Sequence, residues 1–231
     1  MSDEFPTIEQ ISDKRWRLEN LYYITDKNGN KIKFTLNWAQ KDLYDNWWYQ
    51  MIILKARQLG CTTFFAISFL DDCFWYSNMS AGIIADKQSS SEEIFKKKVK
   101  FAYDNMPSWT REYNSAKNDR QGELVFQNGS SYRVSTGFRS GTLTRLLISE
   151  FGKICARSPE VAKEIVTGSL NSVGQDQIVV IESTAEGRSG YFFDYCKQAQ
   201  ANKDSGKKLS KMDMKFFFFP WWREKNYSLE E

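Results

Sequence analysis

The sequence predicts an α/β fold with a mostly parallel central β-sheet flanked by helices. Short apolar runs that are typical of buried strands alternate along the chain with longer segments of helical pattern. Several of these apolar runs are followed directly by clusters of polar residues and glycine. In a parallel sheet such clusters meet at the carboxyl edge of the strands, where ligands bind. We therefore expect a single domain with a ligand site at that edge.

Composition limits the chemistry that such a site can perform. The 231 residues contain no histidine, which excludes Ser-His-Asp and Cys-His catalysis within this chain. The four cysteines are scattered without a C-x-x-C pair, so zinc is not expected and a reduced cytosol is. The net charge of +3 confines any nucleic-acid contact to local patches. Carboxylates, hydroxyls, lysines, arginines and a bound metal remain, and these suffice for phosphoryl transfer.

The first 36 residues are interpreted as an N-terminal appendage. A helix is predicted near Thr7 to Asn20, and extended segments are predicted at Leu21 to Thr25 and Lys31 to Leu36, around a turn. The opening residues lack the basic and apolar regions of a signal peptide. No run of about 18 apolar residues occurs, so a membrane-spanning helix is not expected.

The segment from Lys55 to Thr63 organises the rest of the chain. It lies between an apolar run, Met51 to Leu54, and a helix-like run, Thr62 to Trp75. A strand, a glycine turn and a helix in this order hold phosphates in P-loop NTPases, because loop N–H groups and the positive helix end converge on the anion. Gly60 and Thr62 fit the spacing of that motif, and the Thr62 hydroxyl is the expected Mg²⁺ ligand.

The loop departs from the usual pattern at its lysine. Cys61 stands where the lysine is expected, and a lysine occurs instead at Lys55, where the first glycine would be. From the end of the strand, Lys55 is predicted to reach back to the β- and γ-phosphates. Taken alone, the segment is explained equally well as an ordinary strand-to-helix connection with Thr62 as the N-cap.

The helix predicted after the next strand, at residues 81–85, contains a cluster of lysines. Glu92 and Glu93 begin this helix, a polarity that suits the helix dipole. The lysines are interpreted as a solvated face, with contact to a DNA backbone as the alternative. They are Lys96, Lys97, Lys98 and Lys100. The segments that follow are a hairpin over 123–136, a helix from residue 158, a helix over 191–201, a linker over 202–210 and an aromatic strand over 216–222.

Two later strands end in polar clusters that resemble parts of a catalytic site. Residues 144–148 lead into Ser149 and Glu150, and residues 177–181 lead into Glu182 to Gly187. Glu150 is expected to face the γ-phosphate, where a carboxylate polarises the attacking water. Ser149 stands where an aspartate usually supports Mg²⁺, so it is predicted to hold a metal-bound water without adding charge. The third cluster is expected to sense the γ-phosphate.

Residues outside these clusters complete the predicted site. Arg57 and Arg139 are candidates to neutralise transition-state charge, within the chain or from a neighbouring subunit. Gln40 is a candidate to read the adenine edge, with Trp38 or Tyr44 stacking on the base. Packing of these aromatic residues between a helix and the sheet is the alternative.

Three segments together carry a resemblance to a known family. They are Lys55–Thr63 (KARQLGCTT), Leu147–Lys153 (LISEFGK) and Glu182–Gly187 (ESTAEG). With Asn37–Gln40 upstream, they resemble the N-terminal ATPase domain of the large terminase subunit of tailed bacteriophages, a DNA-packaging motor. The resemblance covers most of the chain, and it implies an ASCE-type P-loop NTPase that uses ATP and Mg²⁺.

The resemblance also implies roles for individual residues. Glu150 looks like the catalytic glutamate of a Walker B motif, Gln40 looks like the adenine-sensing glutamine, and Arg139 lies where an arginine finger acts across subunits. The coupling motif corresponds to Ser183, Thr184 and Ala185. The Walker A loop with a displaced lysine corresponds to Lys55, Ala56, Arg57, Gln58, Leu59, Gly60, Cys61, Thr62 and Thr63.

The function that the resemblance implies is ATP-driven movement of double-stranded DNA into a procapsid. The expected partners are DNA, the portal protein, the small terminase subunit and further copies of the chain in a ring on the portal, in the host cytoplasm and without a membrane. Alone, the chain is expected to be a monomer. Residues 202–231 are interpreted as the start of a connection to the family's nuclease domain, so no nuclease activity is expected here. A helicase-like translocase and a non-catalytic nucleotide-dependent clamp remain the alternatives.

Overall fold

A twisted β-sheet of eight strands forms the centre of the protein. The computed structural model describes residues 5–120, 122–138, 142–170 and 173–224. The strands are β1 (Tyr23–Thr25), β2 (Lys31–Lys33), β3 (Gln50–Lys55), β4 (Ser80–Ile84), β5 (Ala116–Arg120), β6 (Glu123–Phe126), β7 (Ser131–Ser135), β8 (Leu143–Ser149), β9 (Val173–Ser183) and β10 (Met214–Phe219). The α-helices are α1 (Ile8–Ser12), α2 (Lys14–Leu21), α3 (Trp38–Asp45), α4 (Cys61–Trp75), α5 (Gln88–Ile94), α6 (Phe101–Asp104), α7 (Ser108–Tyr113), α8 (Phe151–Arg157), α9 (Pro159–Glu164) and α10 (Tyr191–Asp204).

The order of strands in the main sheet is β10-β3-β9-β8-β4-β7-β6-β5. Neighbouring strands are parallel from β10 to β7, and β6 and β5 continue the sheet antiparallel. The predicted α/β fold with a mostly parallel sheet is therefore confirmed. Strand β9 lies between β3 and β8, so the carboxyl ends of the three strands that carry polar clusters are adjacent.

Helices cover both faces of the sheet and form one apolar core on each side. On one face, α4 is buried along most of its length, and Phe64, Phe65 and Phe69 pack there. A helix that is apolar on all sides needs cover on all sides, and the N-terminal segment and α3 supply it. On the other face, α8 and α10 pack on the sheet through Phe151 and Phe192. Each fully buried phenylalanine contributes about 2 kcal/mol of transfer free energy.

The helix after β4 contains a π-helical segment. Helix α5 continues without a break through Phe95–Lys100, which is π-helical, into α6. Phe95 and Val99 in this segment are buried, and the segment packs against α4. A π turn adds a residue to the helical turn and therefore changes which side chains share a face; such turns are frequent at functional sites.

Three parts of the fold differ from the sequence-based prediction. Helix α3 ends at Asp45, before the predicted end at Gln50, because Gln50 already begins β3. Helix α7 and strand β5 occupy a stretch that was expected to be an irregular polar segment, and β5 is held by its pairing with β6. Helix α8 begins directly after Glu150, so the chain turns from strand to helix at this residue.

The N-terminal segment is attached to α4 by a buried ion pair. Arg17 donates through Nε and Nη2 to the two carboxylate oxygens of Asp71, at 3.0 and 2.7 Å. The hydroxyl of Tyr22 donates to the same carboxylate at 3.1 Å. The division into an appendage (residues 1–36), a body and a connecting segment (residues 202–231) stays a prediction, although β10 in that last segment pairs with β3. No helix in the described ranges has the length and apolar composition needed to cross a membrane.

Replacing Arg17 with methionine is expected to destabilise the fold by about 3–5 kcal/mol, because the buried Asp71 carboxylate would lose its cation. Arg15→Met is the matched control, since Arg15 is more exposed and lies 3.9 Å from Glu19 and 3.7 Å from Asp45. That control should change the free energy of unfolding by less than about 1 kcal/mol. Urea unfolding measures both, and equal losses would contradict the assignment of Arg17 as an anchor.

Candidate nucleotide-binding site

The loop between β3 and α4 has the backbone geometry of an anion-binding turn. Gln58 (φ 57°) and Gly60 (φ 72°) lie in the left-handed region, which non-glycine residues rarely adopt. A Cβ atom on Gly60 would lie 2.6 Å from Nε2 of Gln40, so a side chain at this position would collide with it. The first N–H groups of α4 have no partner within the helix, and together with the helix dipole they form a site for an anion.

Two amide side chains from the start of α3 hold this loop in place. Gln40 donates through Nε2 to the carbonyl oxygen of Gly60 at 2.9 Å, and Asn37 donates through Nδ2 to that of Leu59 at 3.0 Å. Asn37 and Gln40 also cap each other's backbone N–H groups. Both polar groups of the Gln40 amide are therefore engaged with the backbone here. Its predicted contact with adenine stays a prediction.

The aromatic candidates for base stacking lie against other parts of the chain. The Trp38 ring packs edge-to-face on Phe219, with 5.5 Å between ring centroids, and the Arg223 guanidinium lies 4.5 Å from its centre. The indole N–H of Trp38 donates to Glu224 at 3.0 Å. Tyr44 lies beside Arg15, at 6.0 Å. Trp38 therefore borders the C-terminal segment, and its role in stacking stays a prediction.

The displaced lysine joins the polar clusters at the strand ends. Nζ of Lys55 lies 3.1 Å from Oε1 of Glu150 and 3.4 Å from Oε2 of Glu182. Burial opposes the charge of this ammonium, but the two carboxylates outweigh burial and raise the pKa of Lys55. The lysine is therefore a cation at neutral pH, held where the three clusters meet.

Glu182 is a residue of the site that the sequence analysis did not single out. Its side chain is fully buried, and Oε1 accepts hydrogen bonds from the hydroxyls of Thr62, at 2.5 Å, and Ser149, at 2.9 Å. Ser149 and Glu182 are direct neighbours in the register of β8 and β9. Both hydroxyls that were predicted as metal ligands thus contact one carboxylate. The available signal was a carboxylate that ends an apolar strand in the third cluster.

Glu150 occupies a strained turn between β8 and α8. Its backbone lies in the left-handed region, with φ 57° and ψ 40°, an arrangement that costs free energy and occurs often at functional sites. Oε2 lies 3.1 Å from Nζ of Lys153. Burial acts to raise the pKa of Glu150, but Lys55 and Lys153 together lower it below its ordinary value. The carboxylate is therefore ionised at neutral pH, as acceptance of a proton from water requires.

The other residues of the loop differ in exposure. Cys61 is buried, and burial, together with Glu182, raises the pKa of its thiol. The thiol is therefore neutral and does not replace the missing lysine as a cation. Arg57 and Gln58 are exposed, while the N–H of Ala56 donates to the carbonyl oxygen of Phe219 at 2.8 Å.

The third cluster packs against the start of α8. Ser183 Oγ and Thr184 Oγ1 are buried atoms without a hydrogen-bond partner in the described part of the chain, and Ala185 is exposed. A Cβ atom on Gly152 would lie 2.8 Å from Ser183 Oγ and 3.0 Å from the carbonyl oxygen of Thr184. The helix that follows Glu150 is thus in close contact with the predicted coupling segment. Arg139 lies outside the described residues.

Comparison with known proteins was made by sequence and by structure. No family model and no curated protein matches the sequence. Among solved structures, the large terminase ATPase domain of Thermus phage P74-26 matches with a TM-score of 0.58 and 15% identity, over 82% of this chain and 83% of that one. The large terminase of bacteriophage HK97 matches with a TM-score of 0.63 and 16% identity, over 91% of this chain and 43% of that one. A large terminase of a thermophilic bacteriophage, in complex with ATP-gamma-S, matches with a TM-score of 0.50 and 9% identity, over 84% and 47%.

The fold is that of a P-loop ATPase domain. More particularly, it is the fold of the ATPase domain of phage large terminases, as the resemblance in the three sequence motifs predicted. The chain spans less than half of the two longer terminase chains that it matches.

Proposed function

We propose that this chain is the ATPase domain of a viral DNA-packaging motor, in which ATP hydrolysis drives double-stranded DNA into a procapsid. The observation that carries the proposal is the contact of Lys55, from the phosphate loop, with Glu150, from the next strand but one in the sheet. This contact joins a phosphate-binding cation to a base for water at the start of α4. The likeness in fold to terminase ATPase domains supports the choice of DNA packaging among motor functions.

The residues present fit an ATP phosphate chain. The loop N–H groups and Lys55 bind phosphate oxygens, and the ionised Glu150 orients and deprotonates the attacking water. Arg57, from the loop, and Arg139 are the candidates to stabilise the charge that develops in the transition state. The likeness to a terminase in complex with ATP-gamma-S supports nucleotide binding at this position.

The residues present also fit Mg²⁺. Glu182 contributes a buried carboxylate whose Oε2 has no hydrogen bond among the described residues, and the hydroxyls of Thr62 and Ser149 lie on its other oxygen. Mg²⁺ commonly binds through few protein groups, with waters and substrate phosphates filling its remaining positions. Bound there, the ion would neutralise phosphate charge. Glu182 would then supply the negative charge that Ser149 lacks.

Replacing Glu182 with glutamine is expected to raise the Mg²⁺ concentration needed for ATP binding by about tenfold, because glutamine keeps the size of the side chain but removes its charge. Titration of Mg²⁺ against binding of a fluorescent ATP analogue measures this. Glu186→Gln is the matched control, since it removes a carboxylate from the same segment outside the cluster. An unchanged Mg²⁺ requirement in Glu182→Gln would contradict the assignment.

The wider assembly is proposed on the likeness to terminases. Double-stranded DNA, the portal protein, the small terminase subunit and other copies of the chain in a ring are the partners, in the host cytoplasm. Ser183, Thr184 and Ala185 form the segment that transmits loss of the γ-phosphate. Their contact with Gly152 at the start of α8 provides a direct mechanical connection to Glu150.

The test compares ATP turnover with double-stranded and single-stranded DNA and measures strand separation in the same reactions. A packaging motor is expected to hydrolyse ATP faster with double-stranded DNA and to leave its strands paired. Strand separation would favour a helicase-like translocase. Binding of ATP without turnover under any of these conditions would favour a non-catalytic clamp.

A further inference from the structure

Lys98 reaches the phosphate loop from the π-helical segment between α5 and α6. Its Nζ donates to Oγ1 of Thr63, in the first turn of α4, at 2.7 Å. The neighbouring lysine behaves differently: Lys97 is exposed and forms an ion pair with Glu93 at 2.7 Å on the same helix. The interpretation of the lysines as one solvated face is therefore wrong for Lys98.

The π turn explains why Lys98 leaves the solvated face. Within this segment Phe95 and Val99 are buried, whereas Lys96 and Lys97 are exposed. Widening of the helical turn by one residue turns Lys98 toward α4, together with the buried pair. The ammonium is thereby carried to the end of α4 at which an anion binds.

The electrostatic environment of Lys98 is unfavourable without an anion. In the described ranges no carboxylate lies within ion-pair distance of its ammonium, and its hydrogen-bond partner is the neutral Thr63 hydroxyl. Burial lowers the pKa of Lys98, while Glu182 and Glu93 oppose this from farther away. Holding a half-buried ammonium without an adjacent opposite charge costs free energy, and an anion that binds beside it recovers that cost.

We propose that Lys98 is a second phosphate-binding lysine, which contacts the phosphate chain of a nucleoside triphosphate bound at the start of α4. Lys55 approaches this position from the end of β3, and Lys98 approaches it from the helix packed on α4. The pair supplies the positive charge that the neutral Cys61 does not. The inference rests on the proposed function, because the anion is the nucleotide of the same site.

The test measures ATP affinity and thermal stability of Lys98→Met beside Lys97→Met. Lys98→Met is expected to weaken binding of ATP by about tenfold or more, because it removes a charged hydrogen bond to phosphate. Its melting temperature without nucleotide should equal or exceed that of the unsubstituted chain, since an unpaired ammonium has been removed, and the increase produced by ATP should shrink. Lys97→Met should leave ATP affinity unchanged, and Lys98→Arg should restore part of it.

Two results separate this inference from the proposed function. If the unsubstituted chain does not bind ATP, the proposed function fails and the inference fails with it. If the unsubstituted chain binds ATP and Lys98→Met binds it equally well, the inference alone is overturned. A lower melting temperature in Lys98→Met with unchanged ATP affinity would assign Lys98 to structural support of Thr63 instead.

Discussion

Replacing Glu150 with glutamine is expected to abolish most phosphate release from ATP while leaving ATP binding intact. The carboxylate is ionised because Lys55 and Lys153 lower its pKa, and glutamine cannot accept a proton from the attacking water. Loss of a positioned general base typically costs about 10²–10⁴-fold in rate. Phosphate release and binding of a fluorescent ATP analogue, measured on the same preparation, test both halves of the expectation.

The matched control for Glu150→Gln is Glu160→Gln, which removes an exposed carboxylate near the start of α9. Equal turnover in Glu150→Gln and the unsubstituted chain would exclude Glu150 as the base. If neither releases phosphate, ATP binding decides the interpretation, since an isolated domain lacks an arginine from a neighbouring subunit. Bound ATP would then indicate a motor that awaits assembly, and absence of binding would reduce the glycine turn to an ordinary connection.

Replacing Lys55 with alanine is expected to weaken ATP binding by about 100-fold, because the loop loses the cation at its strand end and charged hydrogen bonds are among the strongest. The same change leaves Glu150 and the fully buried Glu182 without their shared cation. The free energy of unfolding should therefore fall by about 3–5 kcal/mol. Isothermal titration with ATP and urea unfolding measure the two effects.

A double variant separates the two effects of Lys55. In Lys55→Met with Glu182→Gln both members of the buried ion pair are neutral, so much of the lost stability should return while ATP affinity stays low. Lys153→Met is the matched single control, because Lys153 contacts the same Glu150 carboxylate but lies outside the phosphate loop. Unaltered ATP affinity in Lys55→Ala would contradict a phosphate-binding role for the displaced lysine.

The elements around the site show which parts of the fold could be predicted. The segment from β3 through Gly60 to α4 was recognised because apolar runs and glycine spacing are properties of neighbouring residues. Helix α7 and strand β5 were missed because their polar residues have no hydrophobic period, and β5 is held by pairing with β6. The end of α3 was misplaced because Gln50 is claimed by the parallel pairing of β3 with β9 and β10.

The sequence by itself determined the α/β class, the phosphate loop with its displaced lysine, and the carboxylates that end β8 and β9. Each of these depends on the order of residues over a short stretch. Only the tertiary structure brought Glu182 onto Thr62 and Ser149, since that contact requires β9 to lie between β3 and β8. It likewise directed Lys98 to Thr63 through a π turn. Both contacts join residues far apart in the chain, and strand order and helix packing, rather than local spacing, decide which of these residues meet.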